Sequence, residues 1–100
     1  MNPAMMKKLQ QMQKDIVKAQ KELDESIFFG TAGGGAVTVE FTGGKEMVAL
    51  KVDQEAFELS EDFEMMQDTI LAAVNDCMKK IDDETANTMG QFQAGMGGLL

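Results

Sequence analysis

The chain lacks several residue types, and each absence excludes a class of function. Among its 100 residues there is no histidine, arginine, tryptophan or tyrosine. Without histidine it has neither the usual general base at neutral pH nor a His-containing metal site. Without arginine it lacks the forked donor that pairs with the edge of guanine. These absences disfavour an enzyme and disfavour tight, base-specific recognition of DNA.

Cysteine and long apolar runs are also scarce. Cys77 is the single cysteine, so no disulfide forms within one chain, which fits a reducing cytoplasm. We expect it to be a small buried apolar residue. No apolar run approaches the roughly 18 residues of a membrane span, so no membrane contact is expected. The length predicts a single domain, residues 1–100, whose small core would benefit from a partner subunit.

The apolar spacing predicts a long first helix over residues 1–25, with Asn2 as its cap and Pro3 in its first turn. Apolar residues recur at alternating intervals of four and three, the a and d positions of a heptad repeat. This seam comprises Met5, Leu9, Met12, Ile16, Ala19 and Leu23. A rod of roughly 30 Å should project from a body this small. The narrow seam therefore predicts a homodimer in which a second copy covers it.

The rest of the chain predicts a sheet followed by a helix, giving an α+β fold. Residues 26–53 read as a three-stranded antiparallel meander, in which Val48, Leu50 and Val52 should face inward on the last strand. A second helix is expected over residues 60–86, because Ser60 is a suitable cap. Its broad apolar stripe comprises Phe63, Met66, Ile70, Ala73, Val74, Cys77 and Ile81. Residues 87–100 are predicted to form a flexible tail rich in methionine and glycine.

Positive charge is concentrated on the first helix although the chain as a whole is acidic. Residues 5–23 carry a net charge of +3 and the remainder −11, within a total of −8. Lys7, Lys14 and Lys21 fall at heptad position f, opposite the seam, while Lys18 lies at c and Lys8 at g. Most charge runs are only a solvated helix face, and that interpretation stays open. A local basic stripe nevertheless binds phosphates on an acidic protein, because salt screens charges beyond about 8 Å.

Other candidate sites have simpler explanations. The glycines of "GTAGGG" and "GGKE" fit hairpin turns, and neither segment has the spacing of a phosphate-binding loop. The acidic clusters lack the spacing of a calcium loop. Ser26, Ser60 and Cys77 have no histidine to activate them. We therefore expect no catalytic residues, no metal, no cofactor and no small-molecule substrate.

Four segments together resemble a known family: "KKLQQMQKDIVKAQKEL" (7–23), "GTAGGGAVTVEFTGG" (30–44), "VALKVDQEAF" (48–57) and "LAAVNDCMKKI" (71–81). Their order and spacing, over roughly residues 5–90, resemble the YbaB/EbfC nucleoid-associated proteins of bacteria. In the last segment Asn75, Asp76, Lys79 and Lys80 stand at the expected places.

The resemblance implies a cytoplasmic, intertwined homodimer whose paired helices project like tweezers. It also implies binding to double-stranded DNA and association with the nucleoid, with roles in nucleoid organisation, DNA protection or gene regulation. Carried onto this sequence, the DNA contacts are Lys7, Lys8, Lys14, Lys18 and Lys21, with Lys79 and Lys80 as weaker candidates. The alternative is a homodimeric protein-interaction module that does not bind DNA directly, which the overall acidity favours.

Overall fold

The computed structural model describes residues 2–97, with side chains as far as residue 94. The chain forms a helix, three strands and a second helix: α1 (Pro3–Glu25), β1 (Ile27–Ala32), β2 (Val37–Thr42), β3 (Met47–Val52) and α2 (Phe63–Gly97). Two short 3-10 turns, Gln54–Phe57 and Ser60–Asp62, join β3 to α2. The strands make one antiparallel sheet in the order β1-β2-β3. This arrangement confirms the predicted α+β class.

Local hydrogen bonds fix both ends of α1. The Asn2 side-chain oxygen accepts a hydrogen bond from the Met5 N–H at 2.8 Å, and Pro3 fits the first turn, where an N–H has no helical partner. At the other end, the Ser26 hydroxyl donates to the Glu22 carbonyl at 2.7 Å. The helix between these caps is about 35 Å long at about 1.5 Å per residue.

Only the base of α1 is attached to the rest of the molecule. Leu23, at 7% exposure, is the one buried residue of α1 in the described part of the chain. The turn between β2 and β3 contacts this end of the helix, where the Gly43 N–H donates a hydrogen bond to the Ser26 carbonyl at 2.9 Å. The molecule measures 70 × 20 × 15 Å, with a radius of gyration of 19.7 Å. A compact chain of this length has a radius of gyration of only about 13 Å, so α1 projects from the body.

The core lies where α2 crosses the sheet. Val37, Val39 and Phe41 of β2 pack against three buried residues of α2, which are Ala73, Cys77 and Ile81. Gly30 of β1 lies directly beneath the helix, and a Cβ atom there would stand 2.6 Å from the Cys77 Cβ and closer still to the Ala73 carbonyl oxygen. The absent side chain therefore permits the close contact between helix and strand.

Cys77 is fully buried, as the sequence predicts. Its Sγ lies 3.4 Å from the Phe28 carbonyl oxygen, to which the thiol donates a weak hydrogen bond. Burial raises the pKa of the thiol above its usual value, so it stays protonated at neutral pH. Cys77 is thus an apolar core residue and not a nucleophile.

The third strand is less covered than its alternating pattern predicts. Val48 and Leu50, expected to face inward, are 52% and 47% exposed, while Val52 is half-buried. The reason is that α2 packs on β1 and β2 and not on β3. Phe63, placed on the apolar stripe of α2, is likewise 59% exposed in the first turn of that helix. Both expectations of burial are therefore wrong for the single chain.

The second helix is longer than predicted. It continues to Gly97 instead of ending near residue 86, so the prediction of a flexible segment is wrong for residues 87–97. Residues 98–100 lie outside the described residues. Extending an established helix costs little per residue, and an isolated glycine such as Gly90 costs only about 1 kcal/mol relative to alanine. Half-buried Met89 and Phe92 continue the apolar pattern past the predicted end.

The contact at Gly30 generates a stability prediction. We expect Gly30→Ala to lower the free energy of unfolding by about 1–3 kcal/mol, because the added methyl group overpacks the contact with α2. Thermal unfolding at a fixed protein concentration measures this. The matched control is Gly90→Ala, where a Cβ meets nothing within 4 Å, and which should stabilise the helix by about 0.5–1 kcal/mol. Equal effects of the two substitutions would contradict this account of the contact.

Candidate nucleic-acid interface

A row of lysines lies on the face of α1 that is turned away from the seam. Lys7, Lys14 and Lys21 follow one another at intervals of about 10 Å, since seven residues make nearly two helical turns. Lys18, at position c, lies next to this row, and Lys8, at position g, lies beyond Lys18 and beside the seam; all five side chains are exposed. The five lysines of α1 that are predicted as DNA contacts are therefore all solvent-accessible.

The lysines of α1 are largely free of acidic partners. Among the described residues, Lys7, Lys8, Lys14 and Lys21 form no ion pair, and the nitrogen of Lys18 reaches the Glu22 carboxylate only at 4.0 Å. In contrast, Lys45 pairs with Asp82 at 3.1 Å in the body. The positive charge of α1 thus remains available to an external anion.

Unlike most lysines of α1, Lys79 and Lys80 each form an ion pair within the chain. The Lys79 nitrogen lies 3.0 Å from Asp83, one helical turn away. The Lys80 nitrogen lies 3.2 Å from Asp76 and donates a hydrogen bond to the Phe29 carbonyl at 3.1 Å. These internal partners favour a structural role for both residues. They remain the weaker candidates for contact with DNA.

Asp76 and Lys80 form hydrogen bonds with backbone groups on the outer edge of β1. Asp76 accepts a hydrogen bond from the Thr31 N–H at 3.0 Å, while Lys80 donates to the carbonyl two residues earlier. The hydrogen bond from Thr31, followed by that from Lys80, holds the pKa of the Asp76 carboxyl below its usual value. Unpaired edge strands attract other chains, and this pair satisfies two of the backbone groups on that edge. From the sequence, the i,i+4 spacing indicates that the side chains of Asp76 and Lys80 lie close together. It does not indicate that both contact the backbone of β1.

The apolar seam of α1 is partly open. Leu9, Met12, Ile16 and Ala19 are half-buried, and Met5 is 39% exposed. A shallow, mainly apolar groove runs along Leu9, Met12 and Ile16. Leu23 is the seam residue that the body of the same chain buries. The predicted seam residues therefore do share one face, and most of that face has no cover in the described chain.

Two further apolar surfaces were not predicted as functional. Met47, Val48 and Leu50 of β3 are 42–52% exposed and lie on the edge of the sheet opposite β1. On α1, Val17 is 68% exposed between lysines. Its b position in the heptad repeat, off the seam, is the signal that would have identified it.

Other classes of site find no support in the structure. In the described residues, no group of three or more histidine, cysteine, aspartate or glutamate side chains is arranged to hold a metal ion. Gly33, Gly34 and Gly35 all have positive φ, at 66°, 66° and 94°, so "GTAGGG" forms the hairpin turn between β1 and β2. Within the same residues, neither helix has an apolar stretch of the length that crosses a bilayer.

Comparison with known proteins identifies the family. The model of the YbaB/EbfC DNA-binding family matches residues 1–96. A nucleoid-associated protein of Ligilactobacillus salivarius is 43% identical over 96 residues, covering 96% of this chain and 91% of that protein. Nucleoid-associated protein OB0030 of Oceanobacillus iheyensis is 49% identical over 92 residues, covering 92% and 88%.

A solved structure has the same fold. The crystal structure of uncharacterized protein HP0035 from Helicobacter pylori matches with a TM-score of 0.74 at 29% identity, covering 93% of this chain and 98% of that one. The family that matches is one of DNA-binding proteins and is not an enzyme family. The chain belongs to the YbaB/EbfC DNA-binding family, which confirms the resemblance found in the sequence.

The edge contact of Asp76 generates a pH prediction. Its pKa is lower in the folded protein than the usual 3.8, so the ionised carboxylate stabilises the fold above that value and this contribution disappears as the pH falls through the folded pKa. We expect Asp76→Asn to lower the unfolding temperature at pH 7, and the difference from the unaltered protein to vanish in strong acid. Asp83→Asn is the control, because Asp83 pairs only with exposed Lys79. A difference that stays constant with pH would refute this role.

Proposed function

We propose that the protein forms a homodimer that binds double-stranded DNA through phosphate contacts from the lysines of α1. The observation that carries this proposal is the row of exposed lysines without acidic partners on a helix that projects from the body. Lys7, Lys14 and Lys21 are the central contacts, and Lys18 and then Lys8 extend them around the helix toward the seam. Membership of a DNA-binding family supports the same function.

The charge distribution sets the expected strength of binding. A dimer has a formal net charge of −16, twice the −8 of the chain, and this repels DNA at long range. Salt screens that repulsion beyond about 8 Å, while lysines in contact with phosphates still release counterions. About 6 phosphate contacts per dimer give a log–log salt slope near −5 and micromolar, sequence-tolerant affinity. Such binding suits a protein that coats the nucleoid in the cytoplasm and organises or protects DNA or alters its expression.

The dimer is supported by two of the uncovered apolar surfaces, the seam of α1 and the exposed side chains of β3. The seam of α1 has the heptad spacing of a helix that pairs with another helix. The exposed side chains Met47, Val48 and Leu50 lie on the open edge of the sheet, where burial against a second copy removes them from water. A body with so small a core gains stability from both contacts.

A protein-interaction module is the second candidate function. The exposed apolar residues of β3 favour it, since they fit a protein surface better than a polyanion. In that case any association with the nucleoid passes through another protein. Co-purification with the nucleoid that is lost on nuclease treatment supports DNA binding, and co-purification that persists supports the module.

The seam generates a prediction about assembly. We expect Ile16→Asp to shift the protein from dimer to monomer, because Ile16 lies on the seam and an aspartate there would be buried unpaired. Val17→Asp is the matched control, since this neighbouring β-branched residue lies off the seam and is 68% exposed. Analytical ultracentrifugation over a concentration series measures the outcome. Dissociation by both substitutions, or by neither, would contradict the assignment of the seam.

The lysine row generates a prediction about affinity. We expect the double substitution Lys14→Gln and Lys21→Gln to weaken binding to a random-sequence duplex and to flatten the salt slope by roughly 3–4, because a dimer loses four phosphate contacts. The control Lys45→Gln with Lys51→Gln changes the net charge equally but lies off α1. Fluorescence anisotropy at several salt concentrations, with circular dichroism to verify folding, tests both variants. An unaltered slope in the first variant would place the DNA site elsewhere.

A further inference from the structure

We propose that a strip of uncharged side chains beside the α1 lysines reads A·T base pairs in the major groove of DNA. The strip consists of Gln10, Gln13 and Val17, and it gives the dimer a modest preference for A·T-rich duplexes. This inference rests on the proposed function, because it requires α1 to bind DNA. It adds base recognition to a surface otherwise assigned to phosphates.

The helical repeat brings the three residues together. Gln10, Gln13 and Val17 fall within a sector of about 60° on the helix surface. They line a shallow groove together with Lys14, Lys18 and Lys21, and Lys14 and Lys21 border the strip on the side away from the seam. Gln13, at heptad position e, also lines the groove along the seam, whereas Gln10 and Val17, at position b, lie farther from the seam and stay accessible when a second copy covers it.

Val17 is the unusual member of the strip. It is 68% exposed, more than any other large apolar side chain in the part of the chain that the structure describes. Neighbouring Ile16 lies on the seam and is half-buried. The side chain of Val17 packs neither on the seam nor in the core, so it is available for contact with an external apolar group.

The two glutamines of the strip are available for a ligand. Elsewhere on α1, Gln11 donates to Asp15 at 2.9 Å and Gln20 donates to Asp24 at 3.0 Å. Across the described residues, the side chains of Gln10 and Gln13 make no comparable hydrogen bond. Their amides are exposed and offer both a donor and an acceptor.

These side chains match the A·T pair chemically. The major groove, about 12 Å wide, admits an α-helix, and there adenine presents an acceptor and a donor that a glutamine amide pairs with. Thymine presents a methyl group, which an apolar side chain contacts. Gln10 and Val17 are about 10 Å apart along the helix, the length of about three base pairs. With no arginine, the chain lacks the forked donor that most often selects guanine.

Charge complementarity identifies DNA as the occupant of this face. Lys14 and Lys21 border the strip without acidic partners, so the surroundings attract a polyanion. A protein partner would bury Val17 among apolar groups, whereas here glutamines and lysines surround it. The lysines then contact the phosphates at the groove wall while the strip faces the bases.

The test compares chemically altered duplexes of one length by fluorescence anisotropy at one salt concentration. We expect the protein to bind an A·T duplex several-fold more tightly than a G·C duplex. Replacing thymine by uracil removes only the methyl group and should weaken binding about fourfold, as the loss of one buried methyl contact does. Replacing adenine by 7-deazaadenine removes the acceptor that a glutamine amide contacts.

Variants then assign each effect to its residue. Val17→Ala shortens the apolar side chain and should reduce the thymine-to-uracil ratio, and Gln10→Ala with Gln13→Ala should no longer distinguish adenine from 7-deazaadenine. Gln11→Ala, on another face of the helix, should behave as the unaltered protein. Because each comparison is a ratio within one variant, a general loss of affinity does not imitate the result.

Three outcomes would overturn the inference. If the unaltered protein binds A·T and G·C duplexes equally, but loses binding in the Lys14→Gln and Lys21→Gln variant, the strip does not read bases while the proposed function stands. If Val17→Ala keeps the full thymine-to-uracil ratio, the preference arises from DNA shape and not from the strip. If no duplex is bound at low salt, both the inference and the proposed function fail.

Discussion

The close approach of α2 to β1 at Gly30 determines which surfaces of the protein are covered. Because α2 lies directly on β1, its apolar residues pack against Val37 and Val39 of β2 but do not cover β3. The same approach brings Asp76 and Lys80 to the outer edge of β1, where they satisfy backbone groups. Two backbone groups on the outer edge of β1 are therefore satisfied by side chains, while large apolar side chains stay exposed on β1 (Ile27 and Phe29) and on β3.

The positions of the acidic residues determine which lysines keep a positive charge that is not balanced within the chain. In the body, Lys45, Lys79 and Lys80 each lie beside an aspartate, so their charge is balanced within the chain. On the projecting helix, Asp15 is the one acid between Lys7 and Lys21, since Glu22, Asp24 and Glu25 lie at the base of the helix. Most lysines of α1 have no ion-pair partner in the described structure, so their charge remains available to an external anion.

The sequence predicts those features that depend on local periodicity. The seam and the lysine face of α1 follow from the heptad spacing, and the alternation of Val37, Val39 and Phe41 predicts the central strand. The exposure of Leu50 depends on which strands α2 crosses, and no local pattern contains that information. The continuation of α2 past residue 86 is not evident from the sequence, because the glycines after Met89 favour a helix end, although a single glycine costs an established helix only about 1 kcal/mol. No local pattern predicts the hydrogen bond of Lys80 either, because its acceptor is the carbonyl of Phe29, 51 residues away in the sequence.

The separation of a basic helix from an acidic body also makes the molecule a strong electric dipole. Residues 5–23 carry +3 and the remainder −11, along a particle 70 Å in length. In the field of a polyanion, such a particle experiences a torque as well as a force. At low ionic strength, where the screening length reaches about 30 Å at 0.01 M, the helix turns toward the duplex and the body turns away before any contact forms. Orientation is then achieved during diffusion, and a larger fraction of collisions is productive than for a protein with the same charges evenly mixed.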